Sequence, residues 1–224
     1  MHAMILCAGR GERLRPLTDQ VPKPLIEVGG RPLVIRHLLC LKACGITSVV
    51  VNSAWLSAQI VAALGDGQAL GMSVHHSIEP EGGLETAGGI IKALPYLGDE
   101  FVVVNGDTLI EGDYAQFLTP LPSGALARLY LTANPPEHPS GDFSLDGSGH
   151  IVSGGGYTFS GAARYRAAAF AGLAPERLAL RPLFERWSAA GTLLGAPLQG
   201  TWFDIGTPER LERARRFFTQ GEEP

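Results

Sequence analysis

The sequence predicts an α/β fold, with a mixed, mostly parallel central sheet flanked by helices, and three observations predict it. Short apolar runs alternate with segments of helical periodicity through the first half of the chain, which is the rhythm of βαβ units. Those runs are apolar at consecutive positions, as strands covered on both faces require. The 224 residues include 29 glycines and 16 prolines, which fits frequent tight turns and close backbone approaches.

The elements follow in order. Residues 3–8 (Ala-Met-Ile-Leu-Cys-Ala) form an apolar run ended by Gly9, as a buried first strand would. Residues 32–44 read as a helix, with Leu33, Ile35, Leu38, Leu39 and Leu41 as its apolar set, Pro32 at the start and Gly45 just past the end. A strand over 46–51, a helix over 56–64, a strand over 72–75, a helix over 85–94 and a strand over 101–104 continue the alternation. The second half is less regular. It predicts a strand over 127–132, a hairpin around Asp146 and Gly147, and a strand over 157–161. A helix over 182–190, a strand over 193–197 and the segment 202–205 come next. The last helix is expected to start with Thr207 as N-cap and Pro208 in its first turn. The tail, Gly221 to Pro224, is expected to fray. No internal repeat or linker divides the chain, so residues 1–224 are expected to form a single domain.

Composition narrows the function. With 45% apolar and 18% charged residues, the chain is too hydrophobic to be disordered. A net charge of −4 argues against a general nucleic-acid or anionic-membrane binder, so neither is an expected partner. No apolar run approaches the roughly 18 to 20 residues of a spanning helix, and no signal-peptide pattern opens the sequence, so a cytoplasmic location is expected. Cys7, Cys40 and Cys44 have no C-x-x-C spacing, which speaks against a disulfide framework or a zinc site. Cys40 and Cys44 lie one helical turn apart on an apolar stripe and are expected to pack as core residues.

The strongest chemical signal is Leu6-Cys7-Ala8-Gly9-Arg10-Gly11-Glu12-Arg13-Leu14-Arg15-Pro16-Leu17-Thr18, followed by Val21-Pro22-Lys23-Pro24. A glycine-rich loop directly after a buried strand exposes backbone N–H groups at close range, which suits phosphate oxygens. Arg10, Arg13, Arg15 and Lys23 concentrate positive charge there, in a chain that is otherwise acidic. Arg13 and Lys23 are expected at the phosphates, while Arg10 and Arg15 read equally well as surface charges. A dinucleotide fingerprint would need glycine where Leu14 stands, and no G-x-x-x-x-G-K-[ST] occurs.

The second signal is Val102-Val103-Val104-Asn105-Gly106-Asp107, a strand that delivers a carboxylate at its C-terminal end, where ligands bind in open parallel sheets. A hard oxygen donor beside a triphosphate favours Mg2+. Asp204, between apolar neighbours in Trp202-Phe203-Asp204-Ile205-Gly206-Thr207, is the natural second ligand, since a charge there needs compensation. His75 and His76 are adjacent on a strand and point to opposite faces, so they are poor co-ligands.

These motifs together resemble the sugar-phosphate nucleotidyltransferases, and the resemblance covers nearly the whole chain. It implies the Rossmann-like sheet of the nucleotide-diphospho-sugar transferase type, with a small antiparallel sugar-binding insertion. It also implies transfer of a nucleotidyl group from a nucleoside triphosphate to a sugar 1-phosphate, with release of pyrophosphate and Mg2+ as cofactor. Carried onto this sequence, Arg13, Lys23 and Asp107 would be catalytic, and Asp107 and Asp204 would hold the metal. The nucleotide would meet Ala8, Gly9, Gly11, Glu12, Arg13, Lys23, Glu81, Gly83 and Asn105, and the sugar Asp142, Ser160 and Asp204. Cys7 stands where the family commonly has alanine.

Within the family, the compact length, Leu84-Glu85-Thr86-Ala87-Gly88-Gly89, Gly141-Asp142-Phe143 and Thr158-Phe159-Ser160-Gly161 are similar to the short uridylyltransferases of cell-wall sugar recycling. That likeness implies UTP and N-acetylmuramate 1-phosphate as substrates, in a monomer or small homo-oligomer. The alternatives are glucose 1-phosphate with dTTP or UTP, mannose 1-phosphate with GTP, and a non-catalytic nucleotide-sensing subunit.

Overall fold

The computed structural model describes residues 1–220; the Gly221 to Pro224 tail, expected to fray, lies outside the described residues. The chain opens with β1 (His2–Leu6), followed by the short helix α1 (Leu17–Gln20) and a minimal hairpin of β2 (Glu27–Val28) and β3 (Arg31–Pro32). Helix α2 (Leu33–Ala43), β4 (Ser48–Ser53), α3 (Ser57–Leu64), β5 (Ser73–Ile78), α4 (Glu85–Ala93) and β6 (Glu100–Asn105) complete the first half. Each of these longer elements falls where the apolar pattern puts it. The second half contains β7 (Thr108–Glu111), β8 (Ala127–Thr132), β9 (Phe143–Leu145), β10 (Ile151–Arg166), α5 (Arg181–Ala189), β11 (Leu193–Pro197), β12 (Thr201–Asp204) and α6 (Pro208–Gln220).

The main sheet has the order β11-β8-β10-β6-β1-β4-β5, with β9 paired to β10. The strands β6, β1, β4 and β5 run parallel, as the βαβ rhythm requires, whereas β10 is antiparallel to both β6 and β8. The sheet is therefore mixed and mostly parallel. A separate antiparallel pair, β7 with β12, brings residues from the middle and the end of the chain together.

Side-chain alternation divides the core into two layers. Ala3, Ile5 and Cys7 join Val34, Leu38, Leu41 and Ile60 under α2 and α3 on one face, and Met4 joins Ile90, Phe101, Phe184 and Trp187 under α4 and α5 on the other. Cys40 and Cys44 pack against the first layer from partly buried positions. A third cluster joins Leu14 of the glycine-rich loop to Val28, Phe203, Ile205, Leu211 and Ala214, and so docks α6 on the N-terminal segment.

Two parts of the second half differ from the sequence expectation. β10 is 16 residues long, whereas apolar patterning marks only 157–161. The stretch Ser153-Gly154-Gly155-Gly156 carries no periodic side chains to read, and the structure shows why: a Cβ on Gly154 would meet Ser144 Oγ at 2.1 Å, and one on Gly155 would meet the Ser140 carbonyl at 1.9 Å. The register with β9 shifts between Val152 and Tyr157, as a bulged, side-chain-free strand allows. The strand β7 also escapes notice, because four residues beside a turn offer too short a pattern.

Candidate active site

The register of the parallel strands sets the site. Leu6 is aligned with Asn52 on one side and Asn105 on the other, so three strands end at the same edge and their loops rise together. A cleft of about 690 Å³ opens there. It is lined by the Ala8 to Arg13 loop, Lys23, Asn52, Trp55, the Glu81 to Gly83 turn, Glu85, Thr86, Asn105, Asp107 and Gly206.

The loop after β1 is shaped by local contacts. Gly11 has φ of +68°, and a Cβ there would stand 3.0 Å from Thr18 Cγ2 and 3.3 Å from Lys23 Cβ, so glycine answers both the backbone and the space. The Thr18 hydroxyl donates to the Gly11 carbonyl at 2.8 Å, and Trp55 Nε1 donates to the Thr18 carbonyl at 2.8 Å. The Arg10 guanidinium stacks 4.3 Å from the centroid of the Trp55 ring, on the cleft wall. Arg15 instead pairs with Asp19 at 3.1 Å, outside the cleft.

A buried polar chain ties the loops together. Asn52 Oδ1 accepts the Cys7 N–H at 2.8 Å, and Asn52 Nδ2 donates to Glu79 Oε1 at 2.6 Å. The other Glu79 oxygen accepts the Leu84 N–H at 2.7 Å. Gly89 leaves the room for this chain, since a Cβ there would meet Glu79 Oε1 at 2.6 Å. The network connects the backbones of the first loop and of the Glu81 to Leu84 segment, the two sides of the cleft. Burial, with the Asp107 charge adding to it, pushes the Cys7 thiol well above its ordinary pKa, so it sits as an inert neutral group.

The two candidate metal ligands lie on adjacent backbone segments and line one cavity. Asp204 lies opposite Thr108 in the β12–β7 pair, and the Ile205 N–H donates to the Asp107 carbonyl at 3.1 Å. Asp107 Oδ2 accepts from Lys23 Nζ at 2.7 Å, an ion pair in which the lysine side chain is 6% exposed and the aspartate 40%. Asp204 Oδ2 is paired with Arg210 Nη1. A point above buried Gly206, where a Cβ would stand, is 3.0 Å from Arg13 Nη2, from Arg210 Nη1 and from Asp204 Oδ2. Arg13, Lys23, Asp107 and Asp204 thus occupy one neighbourhood, with Arg210 added. The donor set fits Mg2+: two adjoining, partly exposed carboxylates supply hard oxygens, leaving the rest of an octahedron to phosphate and water. Among the described residues no group of three or more His, Cys, Asp or Glu gathers into a site that could hold a metal ion.

Beneath Asp107 lies His37, fully buried on α2. Its Nε2 is 2.9 Å from the Thr108 carbonyl, which can only accept, so Nε2 carries the proton and Nδ1 accepts the Tyr114 hydroxyl at 2.7 Å. Burial lowers its pKa to about 4, against the opposing pull of the Thr108 carbonyl and the Asp107 charge. Thr108 in turn donates its hydroxyl to the Asn105 carbonyl at 3.0 Å, which closes the Asn105 to Thr108 turn. Gly106 packs against the Leu6 carbonyl, where a Cβ would be 2.8 Å away.

A second cavity, of about 200 Å³, opens on the other side of Asp107 and Asn105. Thr158, Phe159, Ser160, Trp202, Asp204, Glu137, His138 and Arg210 line it. Of the two other residues expected to face a sugar, Ser160 lines this cavity and Asp142 does not. Ser160 is 0% exposed and spends its hydroxyl on the Tyr130 carbonyl at 2.7 Å and the Ala162 N–H at 3.2 Å. Asp142 lines neither cavity; it accepts the Phe159 N–H at 2.9 Å and faces His138 Nε2 at 3.2 Å, so it braces the wall from behind.

Sequence reasoning overlooked Asn52, Glu79, Trp55, Thr86 and Arg210. Asn52 carried a readable signal, as a polar residue at the end of the apolar run of β4, whereas Glu79 follows a strand with Ser and His at most positions and carried none. Arg210 carried none, because in the first turn of an amphipathic helix an arginine reads as solvated surface.

Comparisons with known proteins place the chain in a family. A family model described as nucleotidyl transferase matches residues 2–125. The chain is 48% identical to an N-acetylmuramate alpha-1-phosphate uridylyltransferase of Neisseria meningitidis, over 96% of this chain and 97% of that one. It is 30% identical to a protein of the same name from Caulobacter vibrioides, over 92% of each. Among solved structures, the inositol-1-phosphate CTP transferase of T. maritima superposes with a TM-score of 0.80 at 18% identity, covering 99% of this chain and 96% of the other, a likeness of fold.

Proposed function

The chain belongs to the nucleotidyl transferase family, and from that premise we propose that it transfers the uridylyl group of UTP to a sugar 1-phosphate, N-acetylmuramate 1-phosphate, with release of pyrophosphate. Likeness over nearly the whole of both chains supports the choice of substrates. The observation that supports the chemistry is that Asp107 and Asp204 line one cavity from adjacent backbone segments, with Lys23 on Asp107 and Arg13 near Gly206.

The attacking phosphate oxygen of a sugar 1-phosphate is already anionic at neutral pH, so the chain has no proton to remove and needs no general base. Its task is to position two anions and to offset their charge. The backbone from Ala8 to Arg13, with Glu12 at its outer rim, is the cradle for the triphosphate. Glu81, Gly83 and Asn105 frame the base side of the cleft. Lys23 packs under Gly11 while reaching Asp107, so a rotation of its side chain carries the ammonium from the carboxylate to a phosphate of the departing pyrophosphate. Arg13 holds the same leaving group from the Gly206 side. Mg2+ held by Asp107 and Asp204 would supply charge neutralisation at the reacting phosphates.

The reaction draws on a cytoplasmic nucleotide, and among the described residues no helix is long and apolar enough to cross a membrane. A cytoplasmic monomer or small homo-oligomer is the proposed form. The test is a mass spectrum of products from a panel of sugar 1-phosphates incubated with each of four nucleoside triphosphates. UDP-N-acetylmuramate with one pyrophosphate per turnover is expected, abolished by EDTA and restored by Mg2+. A panel that yields other nucleotide sugars and no UDP-muramate would remove the substrate assignment.

A further inference from the structure

We propose that Arg210 receives an oxyanion of the acceptor sugar phosphate and so helps to decide which acceptor the enzyme takes; this rests on the function proposed above. Arg210 lies in the first turn of α6 and lines the smaller cavity, where His138 is the only other basic side chain. Its Nε faces Glu137 Oε1 at 3.2 Å and its Nη1 faces Asp204 Oδ2, so it spans the cavity from the outer wall to the candidate metal ligands. A guanidinium has five N–H donors, and those two contacts leave donors on the same fork for a ligand.

Charge points the same way. Glu137 is shared between Arg210 and Arg213, the latter at 3.1 Å, and Asp204 stands between Arg210 and Arg13 at the point above Gly206. At the smaller cavity Arg210 is paired with Asp204 and Glu137, and Arg213 takes part of the Glu137 charge from outside it. With part of the Glu137 charge taken by Arg213, Arg210 keeps charge for an incoming anion, and it is the arginine held within that cavity. The proposed acceptor carries two anions, the phosphate on C1 and a carboxylate on its lactyl group. Both are planar or trigonal oxygen arrays of the kind a guanidinium fork recognises.

The experiment is steady-state kinetics of Arg210→Ala, Arg210→Lys and Arg213→Ala, with thermal melts on each. Two acceptors are used as substrate or as competing inhibitor: N-acetylmuramate 1-phosphate, and N-acetylglucosamine 1-phosphate, which lacks the carboxylate. In Arg210→Ala the KM for the muramate acceptor is expected to rise about tenfold or more, with the KM for UTP nearly unchanged and part of the loss recovered in Arg210→Lys. Arg213→Ala, which touches Glu137 from outside the cavity, should leave acceptor KM close to wild type. An equal loss with both acceptors identifies the phosphate as the partner, and a loss confined to the muramate identifies the carboxylate. An unchanged acceptor KM overturns the proposal, as does an equal rise in KM for UTP together with a lower melting temperature. A wild-type protein that forms no UDP-sugar would bring down the proposed function first, and this assignment with it.

Discussion

At the scale of single residues, the candidate site is built from ion pairs: Lys23 with Asp107, and Arg210 with Asp204 and Glu137. Lys23 is buried and has Asp107 as its partner, so in the proposed function the carboxylate would serve stability and the reaction at once. The two roles separate by magnitude. Asp107 is 40% exposed, so water screens the pair, and Asp107→Asn, which keeps an oxygen acceptor for Lys23, should cost no more than about 1 kcal/mol of stability. The same change removes a charge facing the reacting phosphates and should slow pyrophosphate release by about a hundredfold or more. A coupled pyrophosphate assay and a denaturant titration on one preparation compare the two effects. An Asp107→Asn protein that keeps full turnover would contradict the metal assignment.

At the scale of elements, the turn that presents Asp107 is held from behind by α2. His37 is neutral and donates to the Thr108 carbonyl, and its pKa of about 4 lies below the ordinary value of 6.5. The sign of the effect on stability follows from where protons bind. Above pH 6.5 neither the folded nor the unfolded state protonates this ring, and its full contribution is present. Between pH 6.5 and 4 the unfolded chain takes up a proton that the folded chain refuses, so stability falls by about 3 kcal/mol across that window. Denaturant unfolding at intervals over that range should show the decline, and His37→Gln should show a flatter slope from a lower starting stability. Apolar elements such as β1 and β6 are legible in the sequence because both faces of each strand are covered, so every position must be apolar. β10 is only partly legible, because its glycines are required by the close approach of Ser140 and Ser144, contacts that no local pattern reports.

At the scale of the whole molecule, catalytic geometry depends on fastening the C-terminus to the N-terminal loop. The cluster of Leu14, Val28, Phe203, Ile205, Leu211 and Ala214 does this, and the β7–β12 pair fixes the register of Asp204 beside Asp107. Leu211→Ala removes a side chain that is 4% exposed and should lower stability by about 2 to 4 kcal/mol. Because Arg210 and Asp204 flank that contact, turnover should fall as well, even at temperatures where the protein remains folded. Activity followed against far-UV circular dichroism on warming tests the coupling: loss of activity ahead of loss of helix is the expected order.

The sequence by itself determined the α/β class, the strand that ends at Gly9, the strand that ends at Asp107, and the identity of Arg13, Lys23, Asp107 and Asp204 as the charged groups to watch. Those features are local: an apolar run, a glycine that frees the backbone, a charge set among hydrophobic neighbours. Tertiary structure alone decided that the Ser160 hydroxyl and the Asp142 carboxylate are bonded within the protein, that Asn52 and Glu79 tie the two sides of the cleft together, and that Arg210 stands beside Asp204. The physical reason is that a hydrogen-bonding group is available to a ligand only when no nearer partner has taken it, and those partners come from distant parts of the chain.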